Sequence, residues 1–538
     1  MRHTKPNIIL ILNDDMGFSD LGCYGGEVQT PNLDRLAANG LRFMQFYNTA
    51  RCCPSRASLL TGLHPHQVDV GHMMDDDGID GYLGDLGDNC VTIAEALKSG
   101  GYTTYMSGKW HVTRHLDGPK HNWPLQRGFD SFYGIIIGAS NYYNPSTLTS
   151  GNERIETPPG EYFFTDAISE DAVKNIRQHA ESNPGQPFFS YVAYTAPHWP
   201  LHAHPEDIAR YKGRFDAGWD QLREERLARM VKMGIIHPNW KLTDRDPSQP
   251  PWEDADSKEW QTRRMEVYAA QIDRMDQGIG RILQALEDTR QMENTLILFL
   301  SDNGGCAEEI NEKWANWLIG HVAWEKARDG RPVQFDNDPQ IMPGGEETYQ
   351  SYGVPWANLS NTPFREYKHW VHEGGIATPL IAHWPAQIRA AGELRHQPAQ
   401  LPDIMATCLD VAGTEYPETY QERRISPCEG FSMAPIFEKE PFKRKMLFWE
   451  HEGNRAVRKG KWKLVTKYPG DWELYDMDKD RTELNDLSQK HPAIVKALSE
   501  AYFKWAARCQ VRPWEEILEL RRRKKAVISN IFIQKEKE

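Results

Sequence analysis

Two short strand-like runs, Asn7-Ile8-Ile9-Leu10-Ile11-Leu12 and Thr295-Leu296-Ile297-Leu298-Phe299-Leu300, limit what this chain can fold into. Each is far shorter than the roughly 20 apolar residues that span a bilayer. Neither alternates polar with apolar residues, as a strand with one wet face would. Both read as strands buried on two faces, and Pro187 to Tyr194 reads the same way. Helix-like segments at Pro31 to Asn39 and about Thr92 to Ser99, with a strand-like Leu41 to Phe46 between them, complete an alternating order. That order predicts an α/β fold with parallel strands and helices on both faces.

In such sheets ligands bind beyond the carboxyl ends of the strands, so the residues after each run matter most. Asp14 and Asp15 follow the first run, and Asp302 and Asn303 follow the second. Four oxygen-bearing side chains without a thiolate suit a hard cation, calcium or magnesium. As isolated residues, Asp14 and Asp302 would serve equally as helix caps or turn residues. Adjacent carboxylates beside buried strands repel unless something positive joins them, which favours the metal.

After about Pro435 the pattern changes to short strands with Gly turns (Met446 to Glu450, Arg455 to Arg458, Trp462 to Thr466, Trp472 to Asp476), then an amphipathic helix from about Pro492 to Arg508. This predicts a main domain over residues 1–435 and, over 436–538, a small antiparallel sheet with one covering helix. The stretches 202–260 and 306–350 read as irregular insertions shaping substrate access. Between them Tyr268, Ile272, Met275, Ile279, Ile282, Leu283 and Leu286 fall at helical spacing and read as core packing.

The formal net charge of -13, with Lys and Arg scattered, excludes a general nucleic-acid binder and shows no membrane-surface signature. The eight cysteines are sparse and irregular, without paired CxxC motifs, so no disulfide framework or zinc site is expected and a reducing compartment fits. Met1-Arg2-His3-Thr4-Lys5-Pro6 leads straight into the first run without an apolar signal region. The expectation is a cytoplasmic location, or a periplasmic one had a signal been removed.

Cys52-Cys53-Pro54-Ser55-Arg56 marks the start of a helix: Pro54 suits its first position and Gly62 its stop. Cys52 then lies just before a helix N-terminus, where backbone N–H groups favour negative charge, and Arg56 adds a fixed positive charge. Taken alone, the doublet reads as a vicinal disulfide or two inert thiols. The full string Cys52-x-Pro54-Ser55-Arg56-x-x-Leu59-x-Thr61-Gly62, however, resembles the signature of the type I, formylglycine-dependent sulfatases. Asn13-Asp14-Asp15 and Ser301-Asp302-Asn303-Gly304 resemble the two halves of that family's metal site. Ser107-Gly108-Lys109-Trp110-His111 matches its Gly-Lys-x-His pattern, with the Lys and His expected on one side of an extended segment. Pro197-His198-Trp199 resembles its leaving-group acid. Ser360 to Trp370, continuing to Gly375, resembles the arylsulfatase-type branch.

The resemblance implies an alkaline-phosphatase-like mixed sheet sandwiched by helices. It implies hydrolysis of a sulfate monoester, an aryl sulfate or sulfated carbohydrate, through formylglycine made from Cys52 by a maturation enzyme. It assigns calcium, or less readily magnesium, to Asp14, Asp15, Asp302 and Asn303. It gives sulfate to Lys109 and Lys368, the leaving group to His198, the residue-52 hydroxyl to His111, and a base role to Asp302. His369, His372 and Arg365 are expected to support a loop, and His64, His66 and Asp75-Asp76-Asp77 to lie in solvated ones. A phosphonate or phosphate monoester hydrolase is the competing reading, and a non-catalytic sulfated-glycan binder would follow if Cys52 stayed unmodified. A zinc-protease reading of His372-Glu373 is rejected, because Ile376 stands where HExxH needs its second His, and a zinc hydrolase is the weakest alternative, which metal analysis would settle.

Overall fold

The computed structural model describes residues 5–319, 322–440 and 444–535; Met1 to Thr4, on which the location was read, lie outside them. Eleven strands form one sheet: β1 (Asn7–Asn13), β2 (Leu41–Tyr47), β3 (Thr103–Lys109), β4 (Ser131–Ile135), β5 (Leu148–Ser150), β6 (Glu153–Arg154), β7 (Phe188–Ala193), β8 (Thr295–Ser301), β9 (Ala377–His383), β10 (Glu393–Arg395) and β11 (Ala399–Gln400). Their order is β10-β2-β9-β8-β1-β7-β3-β4-β5-β6, with β11 beside β2. Strands β8, β1, β7, β3 and β4 are mutually parallel. The sheet as a whole is mixed, because β9 runs antiparallel to both β8 and β2.

The unbroken apolar character of β1 has a direct cause. Ile9 and Ile11 enter one core, and Ile8, Leu10 and Leu12 enter the other. Helices Phe164–Ser182 and Lys258–Asp288 cover the first face; helices Cys52–Thr61, Ile93–Ser99 and Pro402–Val411 cover the second. Each such side chain removed from water contributes about 1.5–3 kcal/mol. The stripe from Tyr268 to Leu286 is fully buried on the first face, as its spacing predicts.

A two-residue ribbon, β12 (Thr419–Tyr420) with β13 (Arg423–Arg424), precedes a separate antiparallel sheet of β14 (Leu447–His451), β15 (Asn454–Lys459), β16 (Trp462–Thr466) and β17 (Glu473–Asp476). Val457, Leu464 and Leu474 pack against Leu498, Tyr502 and Trp505 of helix Pro492–Arg508. The other face, through Trp449, Ala456 and Val465, joins the main core.

Two sequence expectations change. The 202–260 stretch is not irregular: helix Gly218–Lys232 places Trp219, Leu222, Arg226 and Met230 at helical spacing toward the core. Buried Arg226 pairs there with Asp20 and Glu27. His64 and His66 are likewise buried, and Asp77 is buried against Arg521; only Asp75 and Asp76 face solvent. All eight cysteines are free, and no described helix is long and apolar enough to cross a membrane.

Candidate active site

Strand register explains why distant motifs meet. Asn13 pairs with Ser301, so Asp14-Asp15 and Asp302-Asn303 leave adjacent parallel strands side by side. Gly108 is level with Ala193, which delivers Lys109 and, a turn later, His198 to the same edge. Strand β2 also ends there and leads to Cys52. Because β9 runs the opposite way, it begins where the others end, and Lys368 approaches from the loop before it.

Helix Cys52–Thr61 begins two residues earlier than Pro54 suggests: Cys52 is its first residue, Arg51 is the cap, and the Ser55 N–H donates to the Arg51 carbonyl at 2.9 Å. Gly62 ends it at φ 71°, as expected. Cys52 is 2% exposed. A hydrogen bond from Cys53 holds the Cys52 thiol well below its ordinary value, against burial, with help from Lys109, His111 and Lys368. Burial pushes Cys53 the other way. The field at position 52 therefore favours an anion.

Arg56 does not face into an open pocket; its Nη2 donates to Asp302 Oδ2 at 2.9 Å and its Nη1 to the Lys109 carbonyl at 3.1 Å. Lys109 Nζ donates to Asp14 Oδ2 at 2.6 Å, and Lys368 Nζ to Asp15 Oδ2 at 2.9 Å. Asn303 Nδ2 donates to Asp15 Oδ1 at 2.6 Å. Although burial works to raise it, Lys109, His198 and Arg56 hold the Asp14 carboxyl at about 2. Burial and the Asp14 charge push Asp302 well above its usual range. Three carboxylates thus crowd a dry pocket in which Asp14 Oδ1, Asn13 Oδ1 and Asn303 Oδ1 receive no hydrogen bond. That donor-free set of hard oxygens fits a divalent cation.

His198 Nδ1 bonds the Trp199 carbonyl at 2.7 Å, which leaves Nε2 as the atom to carry a reacting proton; it faces Lys368 Nζ at 3.2 Å and Asp15 Oδ2 at 3.3 Å. His111 stands beyond the end of β3 at φ 56°, not within the extended segment. Its ring reaches Cys52 and Cys53, the three ligand atoms lying within 4.8 Å of one another. Burial lowers the His111 pKa to about 4, with Cys52 opposing. His369 pairs with Glu452, and His372 and Arg365 with Glu473, in the loop-supporting roles expected.

Two residues here carry no sequence signal beyond their type. Glu308 is the counter-ion of the pocket wall: Oε1 accepts from Arg51 Nη1 at 2.8 Å, Oε2 accepts from Trp199 Nε1 at 2.9 Å, and Lys368 Nζ lies at 3.8 Å. Glu308→Gln, nearly the same shape but neutral, is expected to lower kcat/KM about 10- to 100-fold by releasing Lys368 and Arg51. Unchanged steady-state kinetics would show that neither cation needs this partner. Gly138 lies against His111, so that a Cβ there would sit 2.4 Å from the ring. Gly138→Ala must displace the imidazole, and kcat is expected to fall about 100-fold with the melting temperature nearly kept; wild-type turnover would show that the ring's position is slack.

Over this floor opens a cavity of about 710 Å³, with Cys52, His111, His198 and Lys368 below and Met73, Leu116, Ile137, Trp199 and Trp314 among its walls.

The sequence profile described as Sulfatase matches residues 6–414, and one described as N-sulphoglucosamine sulphohydrolase, C-terminal, matches residues 365–506. An uncharacterised sulfatase of Schizosaccharomyces pombe is 31% identical over 94% of each chain. The arylsulfatase of Klebsiella aerogenes is 32% identical over 80% of this chain and 92% of its own. Among solved structures, Ps i-CgsB in complex with k-i-k-neocarrahexaose superposes with a TM-score of 0.66 at 26% identity, covering 93% of both chains. The sheet and its helices are accordingly alkaline-phosphatase-like. Sulfatases generally use a formylglycine nucleophile and a divalent metal. The chain belongs to the sulfatase family and is a sulfuric ester hydrolase.

Proposed function

We propose that this chain hydrolyses a sulfate monoester, an aryl sulfate or a sulfated carbohydrate, with residue 52 as nucleophile and calcium on Asp14, Asp15, Asp302 and Asn303. The observation that carries the reading is the placement of Cys52 on a helix N-terminus among Lys109, His111 and Lys368, beneath an open cavity. Oxidised to formylglycine and hydrated, residue 52 would supply hydroxyl groups, and calcium would supply positive charge beside them. Lys109 and Lys368 hold the sulfate oxygens and offset the charge that grows on them. Arg56 keeps Asp302 oriented, with Asp302 as the base for the attacking hydroxyl. His198, fixed through Nδ1, uses Nε2 to protonate the departing oxygen. His111 takes a proton from the second hydroxyl of residue 52, so that sulfate leaves without direct attack of water on the ester. The family's maturation requirement makes a formylglycine-generating enzyme the expected partner.

The apolar wall with Trp199 and Trp314 suits the flat face of an aromatic ring or a sugar. N-Acetylgalactosamine-6-sulfatase of Homo sapiens, 28% identical over 80% of this chain and 65% of its own, keeps carbohydrate esters in view. The test pairs two measurements on the same preparation. The mass of the peptide spanning Cys52 should show the thiol replaced by an aldehyde oxygen, and aryl sulfate should turn over faster than aryl phosphonate. Active enzyme with an unmodified cysteine would refute the mechanism. A strong phosphonate preference would favour the monoester hydrolase reading, and glycan binding without hydrolysis by fully converted protein would favour the non-catalytic one.

A further inference from the structure

Behind the nucleophile helix, away from the carboxylate pocket, a second set of ligand-type side chains is closed off from water. His66 follows that helix in the short turn Pro65–Val68, His72 lies in the next loop, and Glu450 comes from β14 of the C-terminal sheet. Their side chains are 1%, 2% and 2% exposed. His66 Nε2 is 2.7 Å and His72 Nε2 3.5 Å from the same oxygen, Glu450 Oε2. All three ligand atoms fall within 4.8 Å of one another.

Hydrogen bonding satisfies this set only in part: Glu450 Oε2 pairs with His66 Nε2 and Oε1 accepts from the Gly453 N–H at 2.7 Å. The Glu452 N–H donates to His72 Nε2 at 3.3 Å, so that nitrogen presents electrons rather than a proton. His72 Nε2 and Glu450 Oε2 lie 3.5 Å apart in a dry site, and a cation there would replace the long Glu452 N–H bond on that nitrogen with a ligand bond. The outer Nδ1 atoms of His66 and His72 have no partner. Beside them His451 is 0% exposed, and neither of its ring nitrogens has a hydrogen-bond partner among the described residues. Its ring meets the His72 ring edge-on with centroids 5.5 Å apart.

We propose that His66, His72 and Glu450 form a second metal site, taking a divalent transition ion and by ligand type zinc, with the buried His451 ring packed beside it. Two imidazoles and one carboxylate are borderline ligands suited to zinc, unlike the all-oxygen pocket at the strand ends. The ion would tie the C-terminal sheet to the loop behind the nucleophile. The His72 carbonyl accepts the Cys53 Sγ–H at 3.4 Å, so the tie reaches the residue next to Cys52.

The experiment uses full-length, calcium-loaded enzyme converted to formylglycine, so that the Cys52 thiol cannot bind the added metal. After exposure to zinc and dialysis, elemental analysis should find about one zinc per chain, and cobalt in its place should give visible d–d absorption. His66→Asn and Glu450→Gln should each lose the retained zinc and the zinc-dependent rise in melting temperature, while calcium content stays unchanged. His121→Ala, which breaks the exposed Asp85, His115 and His121 group, should keep both. Wild-type enzyme that retains no zinc and shows no cobalt band would overturn the proposal, whether or not the variants fold. Zinc lost from His121→Ala but kept by His66→Asn would overturn it too.

Discussion

Cys52→Ala is expected to lower aryl sulfate turnover by at least about 10⁴-fold, while shifting the melting temperature by no more than a few degrees. The large kinetic effect follows from what surrounds the position. The charges of Lys109, His111 and Lys368 all act on residue 52, and the proposed mechanism uses each of them with a covalent partner there. Without it they can bind sulfate but have no nucleophile to serve, and the remaining groups give only binding and charge stabilisation. The small structural effect follows from size: one sulfur atom is lost from a buried helix start, and Pro54, Ser55 and the Gly62 stop are untouched. Steady-state assays beside thermal melts check both halves. A variant retaining more than about a hundredth of the wild-type rate would mean that another group attacks the ester.

Stripping divalent cations should cost nearly as much, about 10³-fold in kcat/KM, with recovery on adding calcium. The charges of the pocket give the reason. Lys109 Nζ lies 2.6 Å from Asp14 and Lys368 Nζ 2.9 Å from Asp15, so the carboxylates that would hold the cation compete for the two lysines proposed to bind sulfate. Asp302, beside Asp14, is driven toward its neutral form. With a cation held by Asp14 and Asp15, both lysines would be available to the substrate. Dialysis against a chelator, then titration with calcium and with magnesium, measures the loss and its reversal. Full activity in chelator would remove the metal from the mechanism. Because the proposed zinc set shares no residue with this pocket, calcium and zinc contents should vary independently.

What could be read from the residues alone was local. The unbroken runs of β1 and β8 required strands dry on both faces, and alternate residues do enter two different cores. The string from Cys52 to Gly62 spelled out a helix start and stop, and the motifs holding Lys109, His198 and Lys368 are short enough to recognise. The register error at Pro54 shows the limit of even local reading: a proline tolerated in a first turn does not say which residue begins it.

The remaining features depend on partners far apart in sequence. Strand β9 runs antiparallel between β2 and β8, and that reversal is what brings Lys368 to the site. Glu308 is one acid among 76 Asp and Glu residues until the fold sets Arg51, Trp199 and Lys368 around it. Gly138 matters only because the His111 ring lies against it. His66 and Glu450 are 384 positions apart, and sequence favoured a solvated loop for His66 because histidines after a helix commonly lie in one. Sequence by itself determined the family, the strands and the reactive residue types, since backbone preference and short motifs are written in neighbouring residues. Tertiary structure alone decided which charges are buried together. Desolvation and pairing energies depend on distance in space, and separation along the chain does not encode that distance.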